Sequence, residues 1–485
     1  MCFGGRGGGP PRQPGVGDED IAGDKKSKTN AHNMSNLVIG AIVSGLALAG
    51  WEEEAGSVLT NTSGQELRRR AAGGRALQQA GVHAATMLNG MYMRNLPVYF
   101  VEISLNRYAK YLLMDTASSF SWLQCQPCEP NCFEQIGLPI FDPATSRTAR
   151  MISCQDPLIC ADVPGRTSPL DGPPTSRCTF DYRLPFHDTQ AVGELVTDNF
   201  YMTVSGTSIP NIPFGCSFNS PQFKFKPGAG VLALGRGPLS FPSQLHSNGY
   251  PSTFSLCFAT MFERHDYTSF PPPQLRFGSP VSGDTIFTPL LPNPSPDPQL
   301  RGYYYVQLLG ISVNGQPLAN IPSYLFSIDP NTGGGGVRFD TAAHLTWLPV
   351  LVYQALFETV QNFMALNALH FRLDEEVYAT NLLCYQPLQV NPMIFFEQRY
   401  VGVPTVTFHF AGGANLVVPP YNVIVPMNHV GLRYDTYHRQ GFPHCLAFTK
   451  SESTDTIIGV SQMRRFLFTF DGQNNRLGFS PRPAC

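Results

Sequence analysis

Two aspartates in similar surroundings are the residues of this sequence that are best placed to do chemistry together. Asp115 lies in the segment YLLMDTASSFSWL, Tyr111–Leu123, and Asp340 lies in VRFDTAAHLTWL, Val337–Leu348. Each aspartate follows an apolar residue, is followed by Thr-Ala, and precedes a Trp-Leu pair by seven positions (122 − 115 = 7; 347 − 340 = 7). Because Asp-Thr also occurs elsewhere in the chain, the longer match, and not the dipeptide, indicates a repeat.

Paired carboxyl groups have a specific chemistry. When two of them lie within hydrogen-bonding distance, both cannot ionise cheaply, so they share one proton and titrate as a pair. The ionised carboxylate can act as a base on a water molecule, while the protonated carboxyl polarises a carbonyl group. The alternative is that each aspartate only closes a turn.

A second pair of segments sets the length of the repeat. VLALG, Val231–Gly235, follows the first aspartate, and TIIG, Thr456–Gly459, follows the second. The offsets nearly agree, since 340 − 115 = 225 and 459 − 235 = 224. A constant offset predicts two equivalent halves, each with one aspartate on a turn after an apolar strand.

Length and composition favour a mostly β protein with two domains. A chain of 485 residues can form two domains, each with its own core. With 45 Gly, 43 Pro, 34 Phe and only 14% charged residues, short strands and many turns are favoured over long helices. The net charge of −2 gives no electrostatic argument for nucleic acid or an anionic membrane as a partner.

From about Tyr99 to Cys485 the chain resembles the pepsin-like aspartic proteases, and among them the plant nepenthesin-like group. Besides both aspartate loops, the resemblance depends on an ordered series of motifs: YFVEIS from Tyr99, CQPC from Cys125, PIFDP from Pro139, FGC from Phe214, LGRGPLS from Leu234, FSLC from Phe254, YYVQLLGISV from Tyr304 and RLGF from Arg476. Each motif is weak alone, whereas the ordered series is specific.

The resemblance implies a bilobal pepsin-like acid protease fold with two similar β-rich lobes and a central cleft. Aspartic proteases are the standard example of paired carboxyl groups that share a proton. Matched residue by residue, the family pattern assigns Asp115 and Asp340 as catalytic, Thr116, Ser118 and Thr341 as supporting, and Phe186 and Asp188 to a flap over the substrate. A polypeptide substrate is expected, with no cofactor, metal or nucleic acid, and the protein is expected to be a monomer.

Both aspartate loops depart from the family pattern, because Ala117 and Ala342 stand where the family has glycine. A methyl there is expected to displace the amides that hold the carboxylates, and an error of about 1 Å can cost about a hundredfold in rate. Ala343 lacks the hydroxyl that Ser118 supplies in the first loop. His344 is new to the second loop, where the expected role is that of a surface or core histidine; the alternative is a cation, which would depress the pKa of Asp340. The flap also lacks its usual tyrosine and glycines.

Two function classes therefore compete. The first is an aspartic endopeptidase, expected to show weak, acid-dependent activity because both aspartates are present. The second is a catalytically inactive member of the same fold that binds or inhibits another protein, as plant xylanase-inhibitor relatives do. A nucleotide or metal enzyme is disfavoured, since the sequence shows no phosphate-binding loop and no complete ligand cluster.

The cysteines predict disulfide bonds. Eleven of the 12 lie between Cys125 and Cys485. Zinc binding by Cys125, Cys128 and Cys132 is the alternative, but no second ligand pair completes such a site. Because the family has a further cysteine shortly before the position of Cys178 and this chain does not, one thiol is expected to be free. A disulfide-bonded body predicts a secreted, extracellular or vacuolar protein.

The chain divides into three expected regions: a disordered, signal-like and propeptide-like segment over 1–93, an N-terminal lobe over 94–288, and a C-terminal lobe over 289–485. Leu37–Ala49 resembles the apolar region of a signal peptide, although it starts far from Met1. A buried strand, a membrane anchor or an extended start remain alternatives for this segment.

Local patterns predict several elements. Val98–Leu105 and Tyr108–Met114 are expected to be strands, as is Tyr303–Val313, which Asn314-Gly315 would join to another strand in a hairpin. Apolar residues at helical spacing predict a core-facing helix over Val352–Met364.

Overall fold

The computed structural model is mostly β, as the sequence predicts, and it contains few helices. It describes residues 83–89, 99–128, 131–133, 135, 139–156, 159–170, 172–173, 175–183, 190–220, 228–258, 274–278, 283–375, 382–388, 396–427 and 443–481. All of these residues lie in one compact unit, Arg69–Cys485. The segments expected to be signal-like or propeptide-like before residue 83 lie outside the described residues.

The described residues of the first half form twelve strands and one helix. In chain order they are β1 His83–Asn89, β2 Tyr99–Leu105, β3 Tyr108–Asp115, β4 Trp122–Gln124, β5 Arg150–Met151, β6 Thr179–Arg183, β7 Gln190–Met202, β8 Thr207–Asn219, β9 Gly230–Ala233, α1 Phe241–Ser247, β10 Phe254–Cys257, β11 Gln274–Phe277 and β12 Ile286–Leu291. Two short 3₁₀ turns, Pro143–Thr145 and Cys160–Asp162, lie between β4 and β6.

The described residues of the second half form the other strands and four helices. They are α2 Pro298–Arg301, β13 Tyr305–Val306, β14 Leu308–Val313, β15 Gln316–Pro317, β16 Val337–Phe339, β17 Thr346–Pro349, α3 Val350–Asn367, β18 Phe371–Leu373, β19 Cys384–Pro387, β20 Val406–Phe410, β21 Asn415–Val418, α4 Pro420–Val423, β22 Ile424–Pro426, β23 His444–Leu446, β24 Phe448–Ser451, β25 Thr456–Ile458, α5 Val460–Met463, β26 Phe466–Asp471 and β27 Arg476–Pro481. Three 3₁₀ turns, Ser323–Phe326, Phe396–Tyr400 and Ala411–Gly413, complete this half.

One large sheet of 19 strands runs through both halves, and two four-stranded sheets, β15-β14-β20-β21 and β18-β19-β23-β22, belong to the second half. The halves join where β10 pairs with β26 and β12 pairs with β27, both antiparallel. The pairing of β1 with β2 and β11 places His83–Asn89 in the folded sheet, ahead of the expected lobe boundary at residue 94. Its sequence HAATMLN lacks the alternation of polar and apolar residues that would have predicted a strand.

The predicted repeat is present in the strand pairing. β3, which ends at Asp115, runs parallel to β9, and β16, which ends just before Asp340, runs parallel to β25. The tryptophan strands also correspond, because Trp122 pairs antiparallel with β9 and Trp347 pairs antiparallel with β25. Each aspartate therefore follows a strand of the same local topology.

The strands predicted over Val98–Leu105 and Tyr108–Met114 are present as β2 and β3, whereas the one predicted over Tyr303–Val313 is divided into β13 and β14, which belong to different sheets. The β2–β3 turn contains Asn106 and Arg107, which have positive φ of 46° and 71°, and the two strands pair along their length. Asn314 and Gly315 likewise have φ of 48° and 81° between β14 and β15, as a two-residue hairpin requires.

The predicted helix is α3. It buries Val352, Leu356, Val360 and Met364, one apolar residue per turn, against the main core. Among the described residues, no helix is long and apolar enough to cross a membrane.

Disulfide bonds replace the zinc alternative. The bonds are Cys125–Cys216, Cys128–Cys132, Cys160–Cys178 and Cys384–Cys445, and Cys257 is disulfide-bonded as well. Because Cys125, Cys128 and Cys132 are all oxidised, they offer no thiolates to a metal. The predicted free thiol is the buried Cys154.

Candidate active site

The two aspartates are brought together at the ends of β3 and β16. Both Asp115 and Asp340 are only 3% exposed. Each follows a strand whose last residues are buried, and these buried residues anchor the aspartate loop in the core. The two carboxyl groups lie near each other, because the charge of Asp340 contributes to raising the pKa of Asp115.

Hydrogen bonds hold each carboxylate to its own loop. The Ala117 amide donates to Asp115 Oδ1 at 2.8 Å, and the Ser118 hydroxyl donates to Asp115 Oδ2. In the second loop the amides of Ala342 and Ala343 donate to Asp340 Oδ1 at 2.9 and 3.2 Å. Asp115 therefore has a side-chain donor from its own loop, whereas Asp340 is held by the backbone amides of its loop.

Thr116 and Thr341 tie the loops to each other. The Thr116 amide donates to Thr341 Oγ1 at 3.1 Å, and the Thr341 amide donates to Thr116 Oγ1 at 3.2 Å. Each hydroxyl then donates across to the other loop's strand, Thr116 to the Phe339 carbonyl at 3.0 Å and Thr341 to the Met114 carbonyl at 2.8 Å. The four buried bonds are related by the repeat, so they fix the separation of the aspartates symmetrically.

The expectation that Ala117 and Ala342 displace the supporting amides is wrong. Both amides donate to their aspartates, and neither alanine has a positive φ, so no glycine-only conformation is needed. Each methyl instead fills space in the other half: Ala117 packs with Tyr303 and Tyr305, and Ala342 packs in a cluster of first-half residues. The backbone geometry at the carboxylates is thus compatible with alanine.

The glycines that follow in each repeat are needed for a close approach. A Cβ on Gly235 would lie 2.6 Å from the Ser118 carbonyl oxygen, and a Cβ on Gly459 would lie 2.3 Å from the Leu345 carbonyl oxygen. Contacts this short are not tolerated, so only glycine lets the chain after β9 and after β25 pack directly against the aspartate loops. This is the physical reason for the VLALG and TIIG landmarks.

Burial and charge set the protonation of the pair. Burial is the main cause that raises the pKa of Asp115 to about 7, and the nearby Asp340 carboxylate adds to it. The hydrogen bonds from Ser118 and the loop amides act in the opposite direction, because they stabilise the ionised form. At acidic pH, Asp115 therefore carries a proton beside Asp340.

Two tyrosines next to the pair were not identified from the sequence. Tyr182 lies on β6, and its hydroxyl is 3.4 Å from Ser118 Oγ, which itself bonds Asp115. Tyr303 lies near enough to Tyr182 and Asp340 for their charges to act on it, and burial raises the pKa of both tyrosines. The alternation in TFDYR, which points Phe180 and Tyr182 to the same buried side, is the signal that could have found Tyr182.

The flap assignment is only partly described. Strands β6 and β7 form the two arms of the expected hairpin, with Arg183 paired to Gln190. Phe186 and Asp188, the predicted flap residues, lie in 184–189, outside the described residues.

His344 does not add a cation beside Asp340. Its side chain is buried, and burial, together with the charge of Arg464, lowers its pKa well below the ordinary value. Its Nδ1 lies 3.4 Å from Ser461 Oγ. The ring is neutral and buried, so His344 is a core histidine, as expected, and not a cation. In the described part of the chain, no cluster of three or more His, Cys, Asp or Glu side chains could hold a metal.

Known families match both halves. The family described as "Xylanase inhibitor N-terminal" matches residues 99–270, and "Xylanase inhibitor C-terminal" matches residues 303–481. Aspartyl protease family protein 2 of Arabidopsis thaliana is 32% identical over 387 residues, which cover 79% of this chain and 70% of that protein. The chain belongs to the pepsin-like aspartic protease family.

A further relative and two solved structures are also similar to this chain. Aspartic proteinase nepenthesin-1 of Nepenthes gracilis is 30% identical over 391 residues, covering 79% of this chain and 77% of that protein. The solved structure of edgp has a TM-score of 0.61 at 18% identity and covers 83% of this chain and 95% of that one. Basic 7S globulin from soybean gives a TM-score of 0.54 at 18% identity, covering 82% and 96%. The two structures show that this family member shares their bilobal β-rich fold.

Proposed function

We propose that the protein is an aspartic endopeptidase that hydrolyses peptide bonds with the Asp115 and Asp340 pair. The observation that carries the proposal is the placement of two buried carboxyl groups on equivalent loops, one of them with its pKa raised to about 7. Such a pair holds one proton over a wide acidic range, which is the state that can supply a base and an acid together.

The reaction needs only the pair and one water. The ionised carboxylate takes a proton from water as the water oxygen bonds to the scissile carbonyl carbon, and the protonated carboxyl gives its proton to the carbonyl oxygen. In the second step the newly protonated carboxyl gives its proton to the amide nitrogen as the C–N bond breaks. A hydroxyl proton of the tetrahedral intermediate returns to the other carboxylate, which restores the pair.

The supporting residues serve positioning. The threonine bonds hold the two loops at a fixed separation, and Ser118 links Asp115 to Tyr182 on the β6–β7 hairpin. Fixed donors of this kind contribute to rate because the reacting groups need no rearrangement. A polypeptide is the substrate class that the relatives named as aspartic proteinases support.

A cleavage assay tests the proposal. Wild-type protein, with the segment before the folded body removed, is incubated with a denatured protein substrate from pH 3 to 8, beside Asp115→Asn, Asp340→Asn and the control Asp162→Asn. Asp162 is exposed and lies outside the site. Cleavage should be strongest at acidic pH, decline as pH rises through about 7, and disappear in both site variants only. Equal cleavage in wild type and both site variants would overturn the proposal.

A second candidate is a non-catalytic protein that binds or inhibits another protein. The observation that favours it is the second loop, where Ala343 leaves Asp340 without the hydroxyl donor that Asp115 has. Folded protein that cleaves nothing at any pH, yet inhibits a xylanase at stoichiometric concentration, would favour this candidate.

We also infer passage through an oxidising compartment, as for a secreted or vacuolar protein, because the described disulfides would not persist in a reducing one. Alkylation of denatured, non-reduced protein, followed by peptide mapping, should label Cys154 and leave Cys125, Cys216, Cys384 and Cys445 unlabelled. Labelling of all five would contradict the inference.

A further inference from the structure

Three polar side chains on the small sheet β15-β14-β20-β21 form a hydrogen-bonded chain outside the aspartate site. Ser312 lies on β14, His409 on β20 and Asn415 on β21. The Ser312 hydroxyl oxygen lies 2.9 Å from His409 Nε2, and His409 Nδ1 lies 2.8 Å from Asn415 Oδ1. Ser312 and His409 are 97 positions apart in the sequence, so it is the fold that brings them together.

The register of the strands places these residues on one face of the sheet. His409 is directly opposite Asn415 on β21 and opposite Gly310 on β14. Ser312 is opposite Thr407, which lies two residues before His409 on the same strand. Because side chains alternate between the two faces of a sheet, all five positions share one face. The other face is apolar and packs in the main core through Ile311, Phe408 and Leu416.

The asparagine decides which ring nitrogen of His409 is the base. An amide oxygen can only accept a hydrogen bond, so the proton of the neutral ring lies on Nδ1 and is donated to Asn415 Oδ1. Nε2 then carries the lone pair and accepts from the Ser312 hydroxyl. A hydroxyl, an imidazole and an orienting oxygen in this order are the arrangement that activates a nucleophile, and asparagine is the third member in some of its forms.

A notch in the sheet face at Gly310 leads to the serine. Ser312 is itself only 2% exposed, so a reagent needs a path between its neighbours. Gly310 lies two residues before Ser312 and opposite His409, and a Cβ built on it would meet no atom within 4 Å. The space that a side chain would fill is therefore open beside both the hydroxyl and the imidazole. Leu309 and Val417, 59% and 50% exposed, make the surroundings apolar. The Gly310 notch thus suits a small apolar group.

We propose that Ser312, His409 and Asn415 form a second nucleophilic site, separate from the aspartate pair, at which small apolar esters acylate Ser312. Ser312 is the nucleophile and His409 is the general base. Asn415 is a positioning residue that holds the imidazole in the tautomer that can take the serine proton. The site shares no residue with the aspartate loops, so it does not depend on the proposed peptidase activity.

The acyl transfer needs the ester and these side chains. As the Ser312 oxygen bonds to the ester carbonyl carbon, its proton passes to His409 Nε2. The bond from that carbon to the alkoxy oxygen then breaks, and His409 returns the proton to the leaving alcohol. The product is an ester of Ser312. Water, deprotonated by the same imidazole, hydrolyses this ester to the free acid and restores the hydroxyl.

Acetylation by p-nitrophenyl acetate tests the proposal. The full chain is incubated with the ester at neutral pH, and peptide mapping by mass spectrometry locates the acetyl groups over time. An acetyl group should appear on Ser312, while the exposed Ser205 in the β7–β8 turn should stay unmodified. His409→Phe keeps a ring without its nitrogens and should slow the acetylation of Ser312 at least about a hundredfold. No acetyl group on Ser312, or an unchanged rate in His409→Phe, would overturn the proposal.

The positioning role of Asn415 is tested by a pair of variants. Asn415→Asp keeps an oxygen that accepts from Nδ1, so it should be acetylated on Ser312 at least as fast as wild type. Asn415→Leu removes the acceptor and should be about tenfold slower. A side chain that only joined two strands would not separate the two variants in this way, so equal rates would overturn this role.

The access route is tested by Gly310→Val. Gly310 has no positive φ, and the space beside it is open, so valine fits the strand while it fills the notch. The three side chains stay in place, yet the ester can no longer come within reach of Ser312, and acetylation should slow at least about tenfold. A wild-type rate in Gly310→Val would rule out the notch as the route. If His409→Phe does not fold, this variant and Asn415→Leu still carry the test.

Discussion

The two aspartate loops have nearly the same backbone and different surroundings. Each aspartate follows a strand that pairs in parallel with a later strand, β9 in the first half and β25 in the second. The amide of the threonine in each loop donates to the threonine hydroxyl of the other loop. Around this frame the side chains diverge: Asp115 has the Ser118 hydroxyl and the apolar Leu113, and Asp340 has Ala343 and the buried cation Arg338. The repeat thus fixes the position of two carboxyl groups, whereas the side chains that are not repeated give each carboxyl group a different environment.

Removing the threonine hydrogen bonds that the two loops share should have the largest effect on stability and cleavage rate. Thr116→Val and Thr341→Val each remove a hydroxyl that donates one buried bond and accepts another. Because the partners stay buried, each variant should lose about 2–4 kcal/mol in the free energy of unfolding and about a hundredfold in cleavage rate. Denaturant unfolding and the cleavage assay measure both quantities.

The matched controls are Thr116→Ser and Thr341→Ser, which keep the hydroxyl and should lose less than half as much. Symmetry also predicts that the two valine variants differ by less than about 1 kcal/mol, which lies near the limit of such measurements. A large loss at one threonine and none at the other would mean that the loops are not equivalent.

A second prediction concerns Cys154, the free thiol of the first half. The described cysteines of the second half, Cys384 and Cys445, are bonded to each other. A Cβ built on Gly172 would lie 3.0 Å from Cys154 Sγ. This is about the distance that one C–S bond and an S–S bond of about 2.05 Å leave between a Cβ and the partner sulfur. Gly172→Cys should therefore form a disulfide with Cys154 and add about 3 kcal/mol to the free energy of unfolding for a loop of this length.

Gly172→Ser, similar in size and without a sulfur, is the control for this variant. Reducing agent should abolish the gain in Gly172→Cys and leave the serine variant unchanged. Two reactive thiols in the unfolded, non-reduced Gly172→Cys protein would show that the bond does not form.

Removing the hydroxyl that only the first loop has should have a smaller effect on the cleavage rate. Ser118→Ala removes the hydroxyl that donates to Asp115 and meets Tyr182, and it should lower kcat/KM about tenfold, or about 1.4 kcal/mol. Since that bond stabilises the ionised form, its loss should also raise the Asp115 pKa further. Tyr182→Phe should reproduce only a minor share of the rate loss.

The converse variant, Ala343→Ser, would offer a hydroxyl in the second loop. Steady-state kinetics of Ser118→Ala and Ala343→Ser across pH would show whether both loops depend on a hydroxyl to the same degree. Changes in kcat/KM of equal size in the two variants would contradict the asymmetry between the loops.

The smallest effect is expected from Ala117→Gly with Ala342→Gly. The amides already hold the carboxylates, so the activity should change by less than about threefold. Each substitution removes a buried methyl and frees the unfolded chain, so stability should fall by about 1 kcal/mol per site. A tenfold gain in activity would restore the idea that the methyls disturb the site.

Much of this arrangement could be predicted from the sequence, because a repeat of identical motifs implies identical local structure. The aspartate strands, the landmark glycines, the hairpin at Asn314 and the helix after Trp347 all follow from patterns within a few residues of each other. Disulfide bonding and the free thiol follow from the odd number of cysteines, 11 of the 12, that lie between Cys125 and Cys485, although the pairing of Cys125 with Cys216 needs the fold.

What the sequence could not provide depends on contacts between distant segments. Ala117 is harmless because Tyr303 and Tyr305, from the other half, leave room for its methyl. His344 is neutral because the fold buries it near Arg464. Arg338 reads as an ordinary charged residue until β16 is placed in the sheet interior. In each case the side chain's environment, and not its type, decides its role.

The most direct test of the central claim, that Asp115 and Asp340 hold one shared proton, is the pH dependence of the free energy of unfolding. The native Asp115 has a pKa raised to about 7, above the value of about 3.9 in an unfolded chain, so native protein retains a proton that unfolded protein has lost. Stability from this group is present at acidic pH and is lost as pH rises from about 4 to about 7, by a few kcal/mol. Asp115→Asn should remove that slope and make the protein relatively more stable at pH 7, while Asp162→Asn should keep it. A wild-type profile without this decline, or one that Asp115→Asn leaves unchanged, would contradict a shared proton.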